Sequence, residues 1–246
     1  MSKYTVMAFL VLITLTHCRQ REDVKSLRAV RLSADVPVVT ADTGYVIHKS
    51  YDIFYNGHVT MYKFDYTHDS FFNGRLVTHE LRPDFFVFQN DSSFGYNYYP
   101  IADPMMPGGR MRIDSMFSKN GFGPFSFDSA FKHHQPDSLY FNGDHDLVKV
   151  YTIDSSAQYP ERNTYYLYYS KKFKGLEDNF FSRSAGDENG FKLFKIRIIA
   201  HGSYYPGYNM VLPQREQVYE MKDIDINNTA EIMTYFGRYR KEVLKY

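Results

Sequence analysis

The segment Ile47-His48-Lys49-Ser50-Tyr51-Asp52-Ile53-Phe54-Tyr55-Asn56-Gly57-His58-Val59-Thr60-Met61-Tyr62-Lys63-Phe64-Asp65-Tyr66 decides the fold. Asn-Gly is the dipeptide that best tolerates positive φ in a tight hairpin, and here it separates two runs rich in aromatic and β-branched residues. With Asn56 and Gly57 as a two-residue turn, Tyr55 stands opposite His58. One face then carries Ile53 with Thr60, Tyr51 with Tyr62, Lys49 with Phe64 and Ile47 with Tyr66. The other carries Asp52 with Met61, Ser50 with Lys63 and His48 with Asp65. This register separates a mostly apolar face from a mostly polar one, as a half-buried antiparallel pair requires.

Working outward, Asn-Gly recurs at Asn73-Gly74, Asn120-Gly121, Asn142-Gly143 and Asn189-Gly190. Five such turns imply an antiparallel meander. Further strands are expected at 75–81, 84–89, 147–153, 164–170, 191–200 and 217–224. In the strand from Phe191, Phe194, Ile196, Ile198 and Ala200 alternate with Lys195, Arg197 and Ile199, so the sheet is expected to have one wet face. Composition agrees, because 23 Tyr and 21 Phe with no Trp favour pleated surfaces. The fold class is mainly β: an antiparallel meander sheet, as a sandwich or an open barrel, with a C-terminal α-helix. That helix starts at Asn228, whose side chain and Glu231 three residues on make a capping box, and it repeats Ile232, Tyr235, Phe236, Tyr239 and Val243 at helical spacing.

Two segments interrupt the pattern. Residues 19 to 44 read as a tether with a short helix near Glu22 to Leu32, order beginning at Tyr45. Between Pro100 and Pro124, Pro104, Pro107, Gly108, Gly109, Gly121 and Gly123 break any regular element, which reads as a long surface loop in preference to a domain linker.

At the N-terminus Lys3 precedes Val6 to Leu15, ten residues that are apolar except for Thr14, and the chain turns polar from His17. Ten helical residues rise about 15 Å, half of a bilayer core of roughly 30 Å, so this is a secretory signal and not a span. Cys18, the single cysteine, stands where the segment ends. Leu15-Thr16-His17-Cys18 resembles the lipobox of bacterial lipoproteins, with His17 where a small residue is usual. The resemblance implies a signal peptide at 1–17, lipidation of Cys18, a lipidated N-terminus and tether at 18–44, and a single β-rich domain at 45–246. It also implies anchoring in the cell envelope, and Arg19 after the cysteine favours the outer membrane over the inner.

Charge removes one class of partner. Lys plus Arg is 29 and Asp plus Glu is 28, too balanced for general attraction to nucleic acid. The richest chemical cluster is His133, His134 and Asp137 followed by Asp144, His145 and Asp146. Imidazole and carboxylate suit a divalent metal, but in extended chain His133 and His134 face opposite ways, and Asp144 and Asp146 face away from His145. A solvated Asn-Gly hairpin tip is the simpler reading. Aligned on a calcium loop, the segment puts Leu147 where Gly is required. His48, Ser50 and Asp65 share the polar face of the first hairpin, yet no nucleophile elbow accompanies them, and a cross-strand His48–Asp65 salt bridge accounts for the pair.

Tyrosine runs suggest binding instead. Tyr165 to Tyr169 reads as core, whereas Tyr204, Tyr205 and Tyr208, set among Gly202, Pro206 and Gly207, read as an exposed binding loop. No catalytic residue and no cofactor is assigned. The expected function is an exported, lipid-anchored binding or assembly module of the envelope, contacting a protein or glycan, with its oligomeric state open. The alternative is a metal-assisted hydrolase centred on His133, His134, Asp144, His145 and Asp146.

Overall fold

A computed structural model describes residues 27–39, 44–72, 75–99, 106–119, 134–154, 161–176, 181, 187–205 and 210–244. The chain is mainly β. Its strands are β1 (Leu27–Val39), β2 (Gly44–Asn56), β3 (Val59–Phe72), β4 (Arg75–Gln89), β5 (Phe94–Tyr98), β6 (Gly109–Arg112) and β7 (Ser138–Phe141). They continue as β8 (Leu147–Ile153), β9 (Asn163–Ser170), β10 (Asp187–Glu188), β11 (Phe191–Ala200), β12 (Ser203–Tyr205), β13 (Met210–Leu212) and β14 (Arg215–Asp223). Eleven run in the order β6-β5-β4-β3-β2-β1-β14-β11-β9-β8-β7, with β10 added on β11, as one open antiparallel sheet; β12 and β13 pair separately.

Strand β1 occupies residues read from sequence as a tether. Ala29, Val30, Leu32 and Ala34 are buried, and the segment sits between β2 and β14. The helix expected near Glu22 to Leu32 is replaced from Leu27 onward by strand, because both flanks offer hydrogen-bonding partners that local propensity cannot register. In the breaker-rich stretch, the described residues form β6 and a short helix, Ile113–Lys119. The two strands expected at 75–81 and 84–89 are one, β4, which runs through Pro83.

The first hairpin forms, with a different register. Asn56 pairs with Val59, Tyr55 with Thr60, Phe54 with Met61, Ile53 with Tyr62 and Asp52 with Lys63. The turn is therefore Gly57-His58. Gly57 takes φ +62° while His58 does not take positive φ, the pattern of a type II′ turn with Gly first. Every partner lies two positions beyond the expected one, a shift that keeps each side chain on its face. Asn56 is released from the turn into the strand, buried, with Nδ2 3.7 Å from Met233 Sδ. At Asn189-Gly190 the expected two-residue turn is present: Glu188 pairs with Phe191, and φ is +50° and +84° at the two turn positions.

By contacts the chain divides into two compact units, the first comprising residues 1–30, 52–112 and 224–246, the second 31–51 and 113–223. In the first, the C-terminal helix Thr229–Val243 lies on one sheet face. Asn228 Oδ1 accepts the Glu231 N–H, the expected N-cap, and its Nδ2 donates to Glu231 Oε2 at 2.9 Å, so the return bond comes from the side-chain amide and not from the backbone N–H of a capping box. Ile232, Tyr235, Phe236 and Tyr239 pack on Phe54, Met61, Phe85, Val87 and Tyr98. Phe85 and Tyr235 stack with centroids 4.0 Å apart. The last buried position of the helix is Glu242, which accepts the Gly108 N–H at 2.9 Å, and not Val243, which is exposed. The other face is buried too, through Ile53, Thr60, Tyr62, Phe64, Phe86 and Phe88. The single wet face therefore does not extend to this unit.

The second unit has the expected asymmetry. Leu147, Tyr151, Leu167, Tyr169, Ile196, Ile198 and Tyr219 are buried on one face. The opposite face carries Tyr166 and Tyr168 beneath the Arg197 and Lys195 cations, with centroid distances of 5.5 and 5.6 Å. Arg197 grips Glu216 through two bonds of 2.9 and 2.8 Å and holds its carboxyl below the usual carboxylate range.

Packing on the helix-covered face should dominate stability of the first unit. Phe85→Ala should cost about 3–5 kcal/mol in urea unfolding, through lost burial and the cavity left against Tyr235. Gly95→Ala should cost about 1–3 kcal/mol, because its Cβ would lie 2.5 Å from Phe86 Cζ and 2.8 Å from the Val87 carbonyl oxygen.

Candidate functional site

Strand β7 ends the sheet. Among the described residues it pairs with β8 alone, Ser138 with Val150 through Phe141 with Leu147, and all four of its residues are exposed. Leu139 is 55% exposed, Tyr140 44% and Phe141 59%, values that place three consecutive large apolar residues in water on an edge without a charge. The other end strand, β6, shows what an ordinary edge looks like: Arg110 and Arg112 are exposed on it, and the Arg110 guanidinium lies 4.4 Å from the Phe94 ring centroid. Charged residues on an edge oppose pairing with another chain, and β7 has none.

The backbone of β7 is oriented by the loop that follows. Asn142 donates its N–H to the Asp146 carbonyl, 3.0 Å. Antiparallel alternation then turns the N–H and C=O of Tyr140 toward β8, and those of Leu139 and Phe141 outward. Two residues thus turn their backbone donors and acceptors to the side of β7 that no described strand occupies.

At the C-terminal end of β7 is an open concavity of about 500 Å³, walled by Phe141 and Phe191, with Ser170 and Lys171 on one side and Asp144, His145 and Asp146 on the other. Adjacent antiparallel strands bring these residues together: the β7–β8 loop, the end of β9 and the start of β11 lie at one end of the sheet. The Phe141 and Phe191 rings have centroids 5.9 Å apart, and the Lys171 ammonium lies 4.8 Å from that of Phe191. Partial burial raises the Tyr140 phenol above its ordinary value, with Tyr168 and Tyr166 adding to the shift.

The loop owes its shape to Asn142. Its Oδ1 accepts the N–H groups of Asp144 at 3.0 Å and Asp146 at 2.9 Å, and its Nδ2 lies 3.5 Å from Asp146 Oδ2. His145 is held at φ +60°. Among the described residues no group of three or more His, Cys, Asp or Glu side chains is placed to hold a metal. His134 is exposed ahead of β7, and His133 lies outside the described residues.

The remaining sequence candidates fall as follows. His48 Nδ1 is 2.7 Å from Asp35 Oδ1 on β1, in the open, while Asp65 stands opposite Pro83; the contact expected between His48 and Asp65 is replaced by a hydrogen bond with Asp35 because β1 flanks β2. Tyr204 lies in strand β12 where a loop was expected; it is 57% exposed and pairs with Val211, itself 71% exposed. Tyr205 pairs with Met210 by backbone; its side chain, Tyr208 and Cys18 lie outside the described residues. Of Tyr165 to Tyr169, only Leu167 and Tyr169 are fully buried. Strand β7 itself was missed from sequence, although Ser138 to Phe141 is an uncharged run directly ahead of Asn142-Gly143.

If turn chemistry shapes the 142–146 loop, Asn142→Ala should destabilise the chain by about 1–2 kcal/mol, because one acceptor and the two hydrogen bonds it takes are lost. His145→Gly should be neutral or stabilise by roughly 1 kcal/mol, since glycine adopts this φ without strain. Denaturant titration of both variants checks the pair. Comparison with protein-family models, with characterised proteins and with solved structures finds no significant match to this chain.

Proposed function

We propose that this protein is an exported, lipid-anchored module of the cell envelope that works by binding, with β7 and the concavity at its end as the contact surface. The observation that carries the reading is the run of three exposed apolar residues on an uncharged edge strand. An edge of this kind invites pairing with another chain unless evolution blocks it, and the residues that would block it are present on β6 and missing on β7. The concavity adds two aromatic walls and groups of both charges, suited to a side chain of the bound partner. The arm bearing Tyr204 and Val211 provides a second apolar contact.

The anchoring half of the proposal rests on Cys18 and the lipobox-like segment before it. Lipid at Cys18 would tether the described domain to a bilayer through the intervening residues, and more than one acyl chain is needed for that hold to be stable.

Labelling cells with a palmitate analogue should tag the wild-type chain and leave Cys18→Ser untagged; equal labelling of the two, or none in a bacterial host, excludes the lipoprotein. For the binding half, the wild-type chain and Leu139→Lys should be used to capture partners from solubilised envelope membranes. The substitution places a charge on an exposed edge residue, so the thermal midpoint should shift little while capture falls about tenfold or more. Undiminished capture would move the contact surface elsewhere, with Tyr204→Ala the next variant to measure.

A further inference from the structure

We infer that the β12–β13 hairpin is a membrane-contacting arm, whose outward face lies in the headgroup zone of the bilayer that holds the chain. The inference takes its bilayer from the lipid anchor proposed above and assigns the arm, not β7, to it.

The arm is the overhang of an interior hairpin. Strands β11 and β14 pair as far as Ala200 with Arg215, and β12 and β13 resume with Ser203 opposite Leu212 in the same register. From Ala200 to Tyr205 the chain extends about 16 Å beyond the last rung of the β11–β14 ladder. Its mounting is stiff. Glu161 accepts from Arg215 Nη2 and, at 3.3 Å, from Ser203 Oγ, with the Glu161 and Arg215 side chains mostly buried. At Gly202 a Cβ would lie 3.0 Å from the Leu212 carbonyl oxygen and 3.3 Å from the Gln214 nitrogen, so the two stems meet through backbone. Little conformational freedom is left to lose on contact.

The chemistry of the arm selects its occupant. Gly202 to Gln214, thirteen residues, hold no Asp, Glu, Lys, Arg or His in a chain that is 23% charged, the longest such run after the N-terminal apolar segment. Tyr204 and Val211 are direct partners and both exposed, while Leu212 on the opposite side is buried, so one side of the arm rests on protein and the other turns out. The exposed Gly202 and Pro213 beside them add no polar side chain. A protein interface carries about one hydrogen bond per 100–200 Å², and on this face the side chains offer only the Tyr204 phenol. The bilayer interface makes no such demand: a tyrosine ring sits there with its apolar body toward the acyl chains and its hydroxyl among the headgroups.

The surroundings of the arm fit the same plane. Ile224 donates to the Ala29 carbonyl and Ser33 Oγ to the Glu220 carbonyl, so β1 runs antiparallel to β14 and ends beside its start. Tyr45 and Val46, at the start of β2 and both exposed, therefore lie at the end of the second unit that carries the arm. The nine steps from Cys18 to Leu27 reach about 30 Å. The thirteen residues of β1 rise about 43 Å, so an anchored chain brings its arm to the same bilayer with β1 aslant to the membrane, not upright. One small apolar hairpin holds a bilayer weakly by itself, and a lipid tether supplies the second attachment that stable contact needs.

The chain has no Trp, so one introduced indole reports its own position. Full-length Tyr204→Trp and Phe141→Trp, purified from membranes, are reconstituted into vesicles of phosphatidylethanolamine and phosphatidylglycerol with brominated acyl chains. Phe141 is the control, since it pairs with Leu147 at the end of the second unit opposite Asn163 and Ala200. Bromine should quench the indole at 204 and leave that at 141 bright, and Val211→Trp should repeat the result at the neighbouring strand if Tyr204→Trp lowers the thermal midpoint. Adding Val211→Asp to Tyr204→Trp, with the midpoint retained, should weaken the bilayer contact about tenfold or more. Quenching absent at both 204 and 211, or equal at 204 and 141, overturns the inference. An indole at 204 that ignores lipid but shifts its emission with solubilised envelope proteins also overturns it and gives the arm to a protein partner. Anchor and arm fail separately, because palmitate labelling reports on Cys18 and the indole reports on position 204.

Discussion

Every backbone N–H and C=O in a sheet needs a partner, and an open sheet has two strands that can satisfy only half of theirs. That constraint organises this molecule. Interior strands find partners on both sides, including β1, which holds its place between β2 and β14. The sheet does not close into a barrel, so the deficit is carried to β6 and β7. One of these is defended by arginine. The other presents leucine, tyrosine and phenylalanine, and among the described strands only β8 pairs with it.

Behind the edges, two units reach stability differently. The first buries both sheet faces and gives one of them to the C-terminal helix, whose aromatic stripe meets Phe85 and Tyr98. Burial pushes the Tyr98 phenol far above its ordinary value, and the nearby Glu242 carboxylate pushes it further, while the Arg238 guanidinium 4.5 Å from the ring centroid partly offsets both. The second unit leaves a face to water and covers it with tyrosine rings under lysine and arginine, so apolar area is shielded without a further layer of chain.

Much of this was legible in the sequence wherever the information is local. Strands 147–153 and 191–200 begin and end where alternation and turn residues put them, and Asn228 caps the helix as its spacing with Glu231 foretold. Although the face expected to be mostly polar carries Phe54 and Met61 into the core under the helix, the grouping of residues by face in the first hairpin also survived. Its register did not, because alternation has period two and cannot distinguish pairings that differ by two residues; the turn decides, and Gly57 could serve as its first or its second central residue. Long-range information was invisible. Leu27 to Val39 reads as a tether until β14 is known to lie beside it, and His48 reads as a partner of Asp65 until β1 brings Asp35 to its other side. The candidate site suffered in the same way: Asp144, His145 and Asp146 stand out as residue types, whereas Phe191 and Lys171 join them only through strand order.

The placement of β1 has a consequence for how the chain acquires its structure. Ile224 donates to the Ala29 carbonyl and Ser33 Oγ donates to the Glu220 carbonyl, contacts that span most of the sequence. The first described strand to be synthesised thus depends on the last. Until residues 215–223 have emerged, β1 lacks one of its two neighbours, and the centre of the sheet must wait while its margins assemble through local hairpins. Closing a loop of that length has an entropic cost before any contact compensates it, so completion of the sheet is expected to be a slow, late event, governed by topology more than by the strength of any single contact.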